Sequence, residues 1–389
     1  MKLFQRLLVA PAALGLISPI AVNATEVNLN EISNYSDLES FEVVNTFDND
    51  QPNKSLLLAG GEGLDDSSSY DGSFNETTTA TFSADFAIGS VDGKGVTSTE
   101  TDGDEALQAY YGFQIDLNTT FTGEDSLDVS IDAGNGATGN ALSEFDLNGG
   151  SDALTVDGVS YTFPLGEKMT VIVGDNTDGS ALFTTACVYG GPSNTLDDCG
   201  NVNAGITGGG STIGAAYDIG NGFSVAAGAQ FVPTGIATVG NDDSYALNLA
   251  YTGDNYGASV TYSMVEDGVD NDTYTALNGY YSFENGLNIS AGYEVGDLDN
   301  AAATADEKEA YFIGVNGEVG PGELGAAVGT YGSMTEASGV MPERLMYEAY
   351  YSYSVNDGMT ITPLIYTVEA DGATDEDETG VMVKTSFSF

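Results

Sequence analysis

The last nine residues place Val381, Val383, Thr385, Phe387 and Phe389 on one side of an extended chain and Met382, Lys384, Ser386 and Ser388 on the other. That is the two-residue period of a β-strand with one apolar face. The period recurs upstream. Phe82, Ala84, Phe86 and Ile88 oppose Ser83 and Asp85, and Leu127, Val129 and Ile131 oppose Asp128, Ser130 and Asp132. Leu107, Ala109, Tyr111, Phe113, Ile115 and Leu117 likewise oppose Gln108, Tyr110, Gln114 and Asp116. A slip of one residue would push those carboxylates into the apolar side, so the register is strongly specified.

Tight-turn sequences punctuate the second half at Asn221-Gly222, Gly253-Asp254-Asn255, Glu284-Asn285-Gly286, Gly320-Pro321-Gly322 and Asn356-Asp357-Gly358. Between them lie longer polar stretches near 233–243, 266–272, 297–307, 332–343 and 370–379. Strand-like segments of roughly ten residues, short turns at one end and long loops at the other predict an all-β antiparallel transmembrane β-barrel. The count is about 16 strands, enough for an aqueous channel. It holds to within about two, because 152–174 is weakly patterned and Pro164 and Pro363 fall near or within strands. Tyr281, Tyr293, Tyr347, Tyr351, Tyr353 and Phe387 lie on apolar faces near strand ends. They suit either the interfacial girdles of a membrane barrel or the core of a soluble sandwich.

At the N-terminus, Lys2 and Arg6 precede an apolar run from Leu7 to Val22, and Val22-Asn23-Ala24 has the small-residue pattern of a cleavage site. Residues 1–24 therefore read as a secretory signal peptide. Pro11, Gly15, Ser18 and Pro19 break the run and argue against a membrane anchor. Beyond residue 24 no apolar stretch is long enough for a spanning helix, which leaves a barrel as the spanning option. Residues 25–75 read as a polar linker and 76–389 as the barrel domain.

Composition adds a strong field: 59 acidic residues against 8 Lys and Arg give a formal charge of -51. Nucleic acid and acidic membrane surfaces are poor partners for it. Most of these acids read as a hydrated surface, with cation attraction as the functional alternative. A hydrophobic content of 41% with 22 Tyr and 17 Phe argues against disorder. Alternation assigns Asp85, Gln114, Asp116, Asp128, Asp132, Glu294, Glu348 and Lys384 to the channel side. A charge facing lipid would cost up to about 2–4 kcal/mol at the midplane. Each is either a solvated wall residue or a selectivity group, and acids acting together favour cations.

The longest connection, about 175 to 210, holds the only cysteines, Cys187 and Cys199. In a secreted chain they are expected to pair, contributing about 3 kcal/mol in the chain-entropy model. The bridge either pins an exposed loop or stiffens a loop folded inward to set the width of a pore.

Catalytic signals are weak. Gly134-Asn135-Gly136-Ala137-Thr138-Gly139 matches G-x-G-x-x-G, but a strand precedes it and no helix follows, so it reads as a glycine-rich loop. Asp375, Asp377 and Gly380 suggest a calcium loop, yet Ser386 stands where the bidentate Glu belongs. A regular EF-hand is excluded, loose calcium binding by loop acids is left open, and no other cofactor is implied. The absence of His removes histidine triads and histidine metal sites, and an enzyme is not expected.

The opening MKLFQRLLVAPAALGL resembles that of the major outer-membrane porins of cyanobacteria. So does the closing block from Tyr347-Glu348-Ala349-Tyr350-Tyr351-Ser352-Tyr353 through NDGMTITPLIYT to DETGVMVKTSFSF. These porins are grouped with the carbohydrate-selective porins and also described as iron-uptake porins. The resemblance is looser between 25 and 345. It implies a homotrimeric passive channel for ions and small solutes, placed in outer-membrane lipid by the barrel-assembly machinery through a terminal strand carrying Phe387 and Phe389. Many relatives carry a surface-layer-homology domain and a coiled coil before the barrel, for which residues 25–75 are too short. The rival reading is a secreted, acidic, calcium-binding surface or adhesion protein built as a β-sandwich or solenoid. A third reading is an enzymatic barrel such as a lipid hydrolase.

Overall fold

A computed structural model describes residues 77–92, 106–136, 142–149, 152–238, 240–267, 270–299, 306–336, 339–370 and 376–389. The chain divides into two units, Met1–Tyr70 and Asp71–Phe389, and the described residues belong to the second. The expected signal peptide 1–24 and linker 25–75 lie outside the described residues, as do Gly139 and Asp375.

The strands are β1 (Thr78–Asp92), β2 (Gln108–Thr119), β3 (Ser126–Gly134), β4 (Thr155–Pro164), β5 (Met169–Asp175), β6 (Ser211–Gly220), β7 (Phe223–Phe231), β8 (Ser244–Thr252) and β9 (Tyr256–Asp267). They continue as β10 (Asp270–Ser282), β11 (Leu287–Asp297), β12 (Glu307–Val319), β13 (Gly322–Thr330), β14 (Met334–Thr335), β15 (Leu345–Asn356), β16 (Met359–Val368) and β17 (Glu378–Ser388). All belong to one sheet, each long strand antiparallel to its sequence neighbours, and β1 pairs with both β2 and β17. The ring is thus closed, with Ser83 opposite Ser388 and Asp92 opposite Thr379 at the seam. Because β14 is a two-residue stub on the edge of β12, the barrel proper has 16 strands. Closure satisfies every strand edge and excludes a sandwich or solenoid.

The direction of the apolar face decides the surroundings of the barrel. In β11, Ala291, Tyr293 and Val295 are exposed, while Ser290, Gly292, Glu294 and Gly296 are buried inward. Around the circumference the exposed outward positions include Ile88, Val173, Ile213, Leu247, Leu277, Ile313 and Ile365. A water-soluble protein does not present such a continuous apolar band, whereas a bilayer-spanning barrel requires one.

Aromatic residues mark both edges of this band. At the tight-turn end, Phe223 packs on Tyr251 (4.8 Å between ring centres) and Tyr281 on Phe283 (4.7 Å), while Phe82 stacks on Phe389 (5.8 Å). At the long-loop end, Tyr293 donates its hydroxyl to Glu309 (2.9 Å) and Tyr347 to Glu369 (3.1 Å). Apolar ring and hydrated hydroxyl suit the membrane interface. All six aromatics singled out in the sequence alternate on the outer face of this wall, so the soluble-core alternative for them falls away.

Three local features depart from simple alternation. Residues 266–267 and 270–272, read from the sequence as part of a long loop, belong to β9 and β10, with Asp267 pairing Asp270 and Asn271 pairing Glu266. Strands that continue past the membrane enter water, where acidic side chains are tolerated on either face. The weak pattern at 152–174 has its cause at Asp157, since Ser130 pairs Gly158 but Ile131 pairs Val156. One extra residue there inverts the alternation. Within β16, the ladder to β15 runs from Leu364 opposite Tyr350 to Ile361 opposite Tyr353, skipping Thr362 and Pro363, where proline has no N–H to donate.

Candidate functional site

The connection from β5 to β6, residues 176–210, turns into the barrel. A buried backbone must find hydrogen-bond partners, and here side chains of the inner wall supply them. Along an extended run, Thr184, Ala186 and Val188 donate N–H to Asn248 Oδ1 (3.1 Å), Ser259 Oγ (2.9 Å) and Ser290 Oγ (3.0 Å). Asn248 Nδ2 in turn donates to the Thr184 carbonyl (3.2 Å). At the far side of the lumen Tyr189 donates its hydroxyl to Glu348 (2.6 Å), and its ring packs on Phe312 and Tyr350.

The returning limb is fastened just as firmly. The Cys199 carbonyl accepts from Asn278 Nδ2 (2.9 Å), and Glu294 accepts N–H from Asn203 (2.9 Å) and Ala204 (2.7 Å) and the Asn203 amide (2.6 Å). Cys187 and Cys199 form a disulfide that ties the outgoing limb to the returning one. The bridge therefore lies in a loop that is folded inward against the wall and not in an exposed one.

Glycine on the wall makes room for it. A β-carbon on Gly292 would overlap the Cys199 carbonyl, and one on Gly228 would overlap the Gly179 carbonyl. Gly292→Val is therefore expected to displace the returning limb. In the folded barrel, alkylation of Cys187 and Cys199 after mild reduction should speed up at least about tenfold, a docking loss of about 1.4 kcal/mol or more. An unchanged rate would show that the loop does not need this approach.

A second connection also folds inward. The 3₁₀ turn Ser143–Phe145 buries Glu144 and Phe145, and Leu142 beside it is buried as well. Glu144 binds the first loop at three points: its carbonyl accepts from Asn194 N (2.8 Å), and its carboxylate accepts from Thr195 N (3.3 Å) and Thr195 Oγ1 (3.2 Å). The glycines read as a G-x-G-x-x-G match serve this fold, because Gly134 and Gly136 lie against the backbone of Asn148 and Leu147.

The channel-side candidates separate into two groups. Asp85, Gln114, Asp116, Asp128, Asp132 and Lys384 face inward and keep partial contact with solvent. Asp116 accepts from Gln114 (2.8 Å) and Ser130 (2.7 Å), Asp128 from Asn118 (2.6 Å) and Ser126 (2.7 Å), and Asp132 from Thr155 (2.7 Å). These bonds hold the carboxylates of β2 and β3 in place along one wall. Lys384 lies 5.4 Å from the centre of the Phe145 ring. Glu294 and Glu348 also face inward, but at 1% and 5% exposure they are sealed under the loop. That corrects their assignment: both belong to the seat of the loop, because alternation tells which side a residue faces and not what covers it. Phe387 and Phe389 lie at the outer seam, and Phe389 exchanges backbone hydrogen bonds with Phe82 (2.9 and 3.0 Å).

Two acids that the sequence reading did not single out lie on the loop itself. Asp197 and Asp198 are exposed, line a cavity of about 320 Å³ together with Cys187, Tyr189, Cys199 and Asn201, and are enclosed by the barrel. Partial desolvation inside the barrel, and then Asp146 and Glu144, push the Asp197 carboxyl up to about 6. Asp198 is pushed up to about 7 by the same desolvation and by Asp197 and Glu294. Burial, and then Glu348, raises the Tyr189 phenol well above its usual range, so it stays a donor. Nothing in local sequence distinguished Asp197 and Asp198 from the other loop acids.

No family model matches this sequence, and neither does any curated protein. Solved structures do. The chain is similar to the anion-selective porin from Comamonas acidovorans (TM-score 0.60, 12% identity, covering 80% of this chain and 99% of that one). It is also similar to Pseudomonas putida OprB in its high-pH structure (TM-score 0.59, 11% identity, 80% and 94% covered). A loop-deletion variant of OmpT, an outer-membrane protein of Vibrio cholerae, gives a TM-score of 0.57 at 13% identity, with 80% and 99% covered. At such identities the likeness is one of fold, and that shared fold is the 16-stranded porin barrel.

Proposed function

We propose that this chain is an outer-membrane porin, a multi-pass β-barrel that passively conducts inorganic ions and small hydrophilic solutes and prefers cations. The observation that carries the reading is the division of the interior. The inner face of β8 to β15 is buried beneath a bonded loop, while the carboxylates of β1 to β3 keep their access to water. A wet path flanked by fixed carboxylates concentrates cations and repels anions. Barrel folds of this kind serve solutes of either sign, as the anion-selective relative in fold illustrates, so selectivity rests on this chain's own residues.

The reading includes a homotrimer, insertion by the barrel-assembly machinery, and kinship with the cyanobacterial carbohydrate-selective and iron-uptake porins. It needs no catalysis and no cofactor, and loose calcium binding by the outer loops is compatible with it. In planar bilayers under a salt gradient, the purified protein is expected to give step conductances whose reversal potential has the sign of a cation-preferring pore. A clear anion preference would overturn the selectivity, and a protein that inserts without conducting would overturn the channel.

A further inference from the structure

A second cavity, of about 360 Å³, lies between the inner wall and the returning limb of the loop, at the long-loop ends of β7 to β9. Inward residues paired across three strands make its floor: Gln230 on β7 is opposite Ser244 on β8, and Ser244 is opposite Val265 on β9. Residues of the limb between Val202 and Gly209 form the other side. Gly210 lets the limb pass this close, since a β-carbon there would come within 3.1 Å of Gln230 Cγ. Two polar side chains of the floor are unspent. Gln230 is 7% exposed, yet its side-chain amide bonds to nothing among the described residues. Unlike the sealed amide oxygens of Asn201, Asn278 and Asn316, the Gln230 amide keeps contact with solvent, and the cavity supplies that contact. The Ser244 hydroxyl beside it also has no partner among the described residues. Other polar groups of the lining are engaged, Tyr274 donating to Asp272 (3.2 Å) and the Asn203 amide to Glu294 (2.6 Å). Val202, Ile206, Val232, Pro233 and Val265 give the cavity an aliphatic side, Asp242 brings one carboxylate, and no Lys or Arg lines it.

We infer that this pocket binds a small neutral aliphatic primary amide. A buried amide without a partner calls for one, and that of Gln230 offers a donor and an acceptor side by side. A second primary amide answers both at once: its carbonyl accepts from Gln230 Nε2, and one of its N–H groups donates to Gln230 Oε1. The other N–H is left for Ser244 Oγ. The aliphatic side takes the alkyl tail, and the volume stands at the lower end of the range for small-molecule pockets. Other classes leave part of the lining unmet. An ammonium has no acceptor for the Gln230 N–H. A carboxylate has no donor for the Gln230 carbonyl and meets Asp242, and a sugar has no alkyl tail for the aliphatic side. The assignment goes beyond conduction and holds whichever ions the barrel prefers.

The test titrates the whole detergent-solubilised protein with butyramide and follows the ligand by saturation-transfer NMR. Butyramide is expected to bind saturably with a Kd of about 1–10 mM, a normal strength for so small a ligand. N,N-dimethylbutyramide keeps the carbonyl and the tail but has no N–H, and it should bind about fivefold more weakly or worse. Butyrate, butylammonium and glucose should be weaker than butyramide by at least the same factor. Gln230→Leu, which keeps the bulk of the side chain, should weaken butyramide by about tenfold. Gln230→Glu removes the donor and should turn the preference from butyramide to butylammonium. The ligand series on the wild type decides the matter even where a variant folds poorly. The site is overturned by an absence of saturable butyramide binding, by equal affinity for the dimethyl amide, by tighter binding of glucose or butylammonium, or by a folded Gln230→Leu that binds butyramide as the wild type does. Binding is read here without a membrane, so a barrel that fails to conduct would sink the channel reading and leave this result standing.

Discussion

Glu294→Leu is expected to give the largest change in conduction of any single wall substitution, with higher-conductance substates that the wild type visits rarely. Glu294 is 1% exposed and holds three donors of the returning limb, the N–H groups of Asn203 and Ala204 and the Asn203 side-chain amide. Leucine fills a similar volume without accepting any of them. Each donor left unsatisfied costs about 1–3 kcal/mol, so the docked limb loses several kcal/mol and its docking constant falls by about a hundredfold or more. The disulfide and the Asn278 bond to Cys199 still hold the middle of the loop, so the limb from 200 to 210 moves and the tip stays. Glu294→Gln keeps one acceptor oxygen and should fall between the two. Single-channel recordings check this: identical open-level distributions for wild type and Glu294→Leu would show that the glutamate does not hold the returning limb in place.

The distinction between Glu294 and an open-wall acid such as Asp116 also shows where sequence reading stops. Both alternate with apolar neighbours, and both turn inward. Alternation is legible because lipid on one side and water or protein on the other impose a period of two, and that rule yields the faces, the tight turns and the strand number. It has no information about height along the strand or about what a 35-residue connection does inside the ring. The anchors Asn248, Ser259 and Ser290 are neutral polar residues at inner positions, the ordinary composition of a wet wall, and only the folded loop gives them a task. Glu144 was hidden for the same reason, in a polar stretch without a period. A retrospective signal does exist in the inner-face glycines Gly228 and Gly292, where a wall gives up its side chains because another backbone passes close by. Glu266, Asp267, Asp270 and Asp272 look like a loop in the sequence but are the paired ends of β9 and β10.

Acidification is expected to reduce cation preference steeply between pH 8 and 5. Asp197 and Asp198, raised to about 6 and about 7 by desolvation and by neighbouring acids, are two loop groups that titrate in this window. At ~5 Å in water each carboxylate lowers the energy of a cation by about 0.8 kcal/mol, less with salt, so each lost charge should cost roughly two- to fourfold in cation enrichment. The linkage has a definite sign. A carboxyl whose folded value lies above its unfolded one favours the folded state most below the unfolded value, near 4, and that contribution disappears as the pH rises through about 6 to 7. Acid therefore discharges the loop while it favours the folded state, and the lost charge disfavours cations. Asp197→Asn combined with Asp198→Asn should give a permeability ratio that is low and nearly flat across the same range. If the double variant keeps the pH dependence of the wild type, the titrating groups lie elsewhere on the wall.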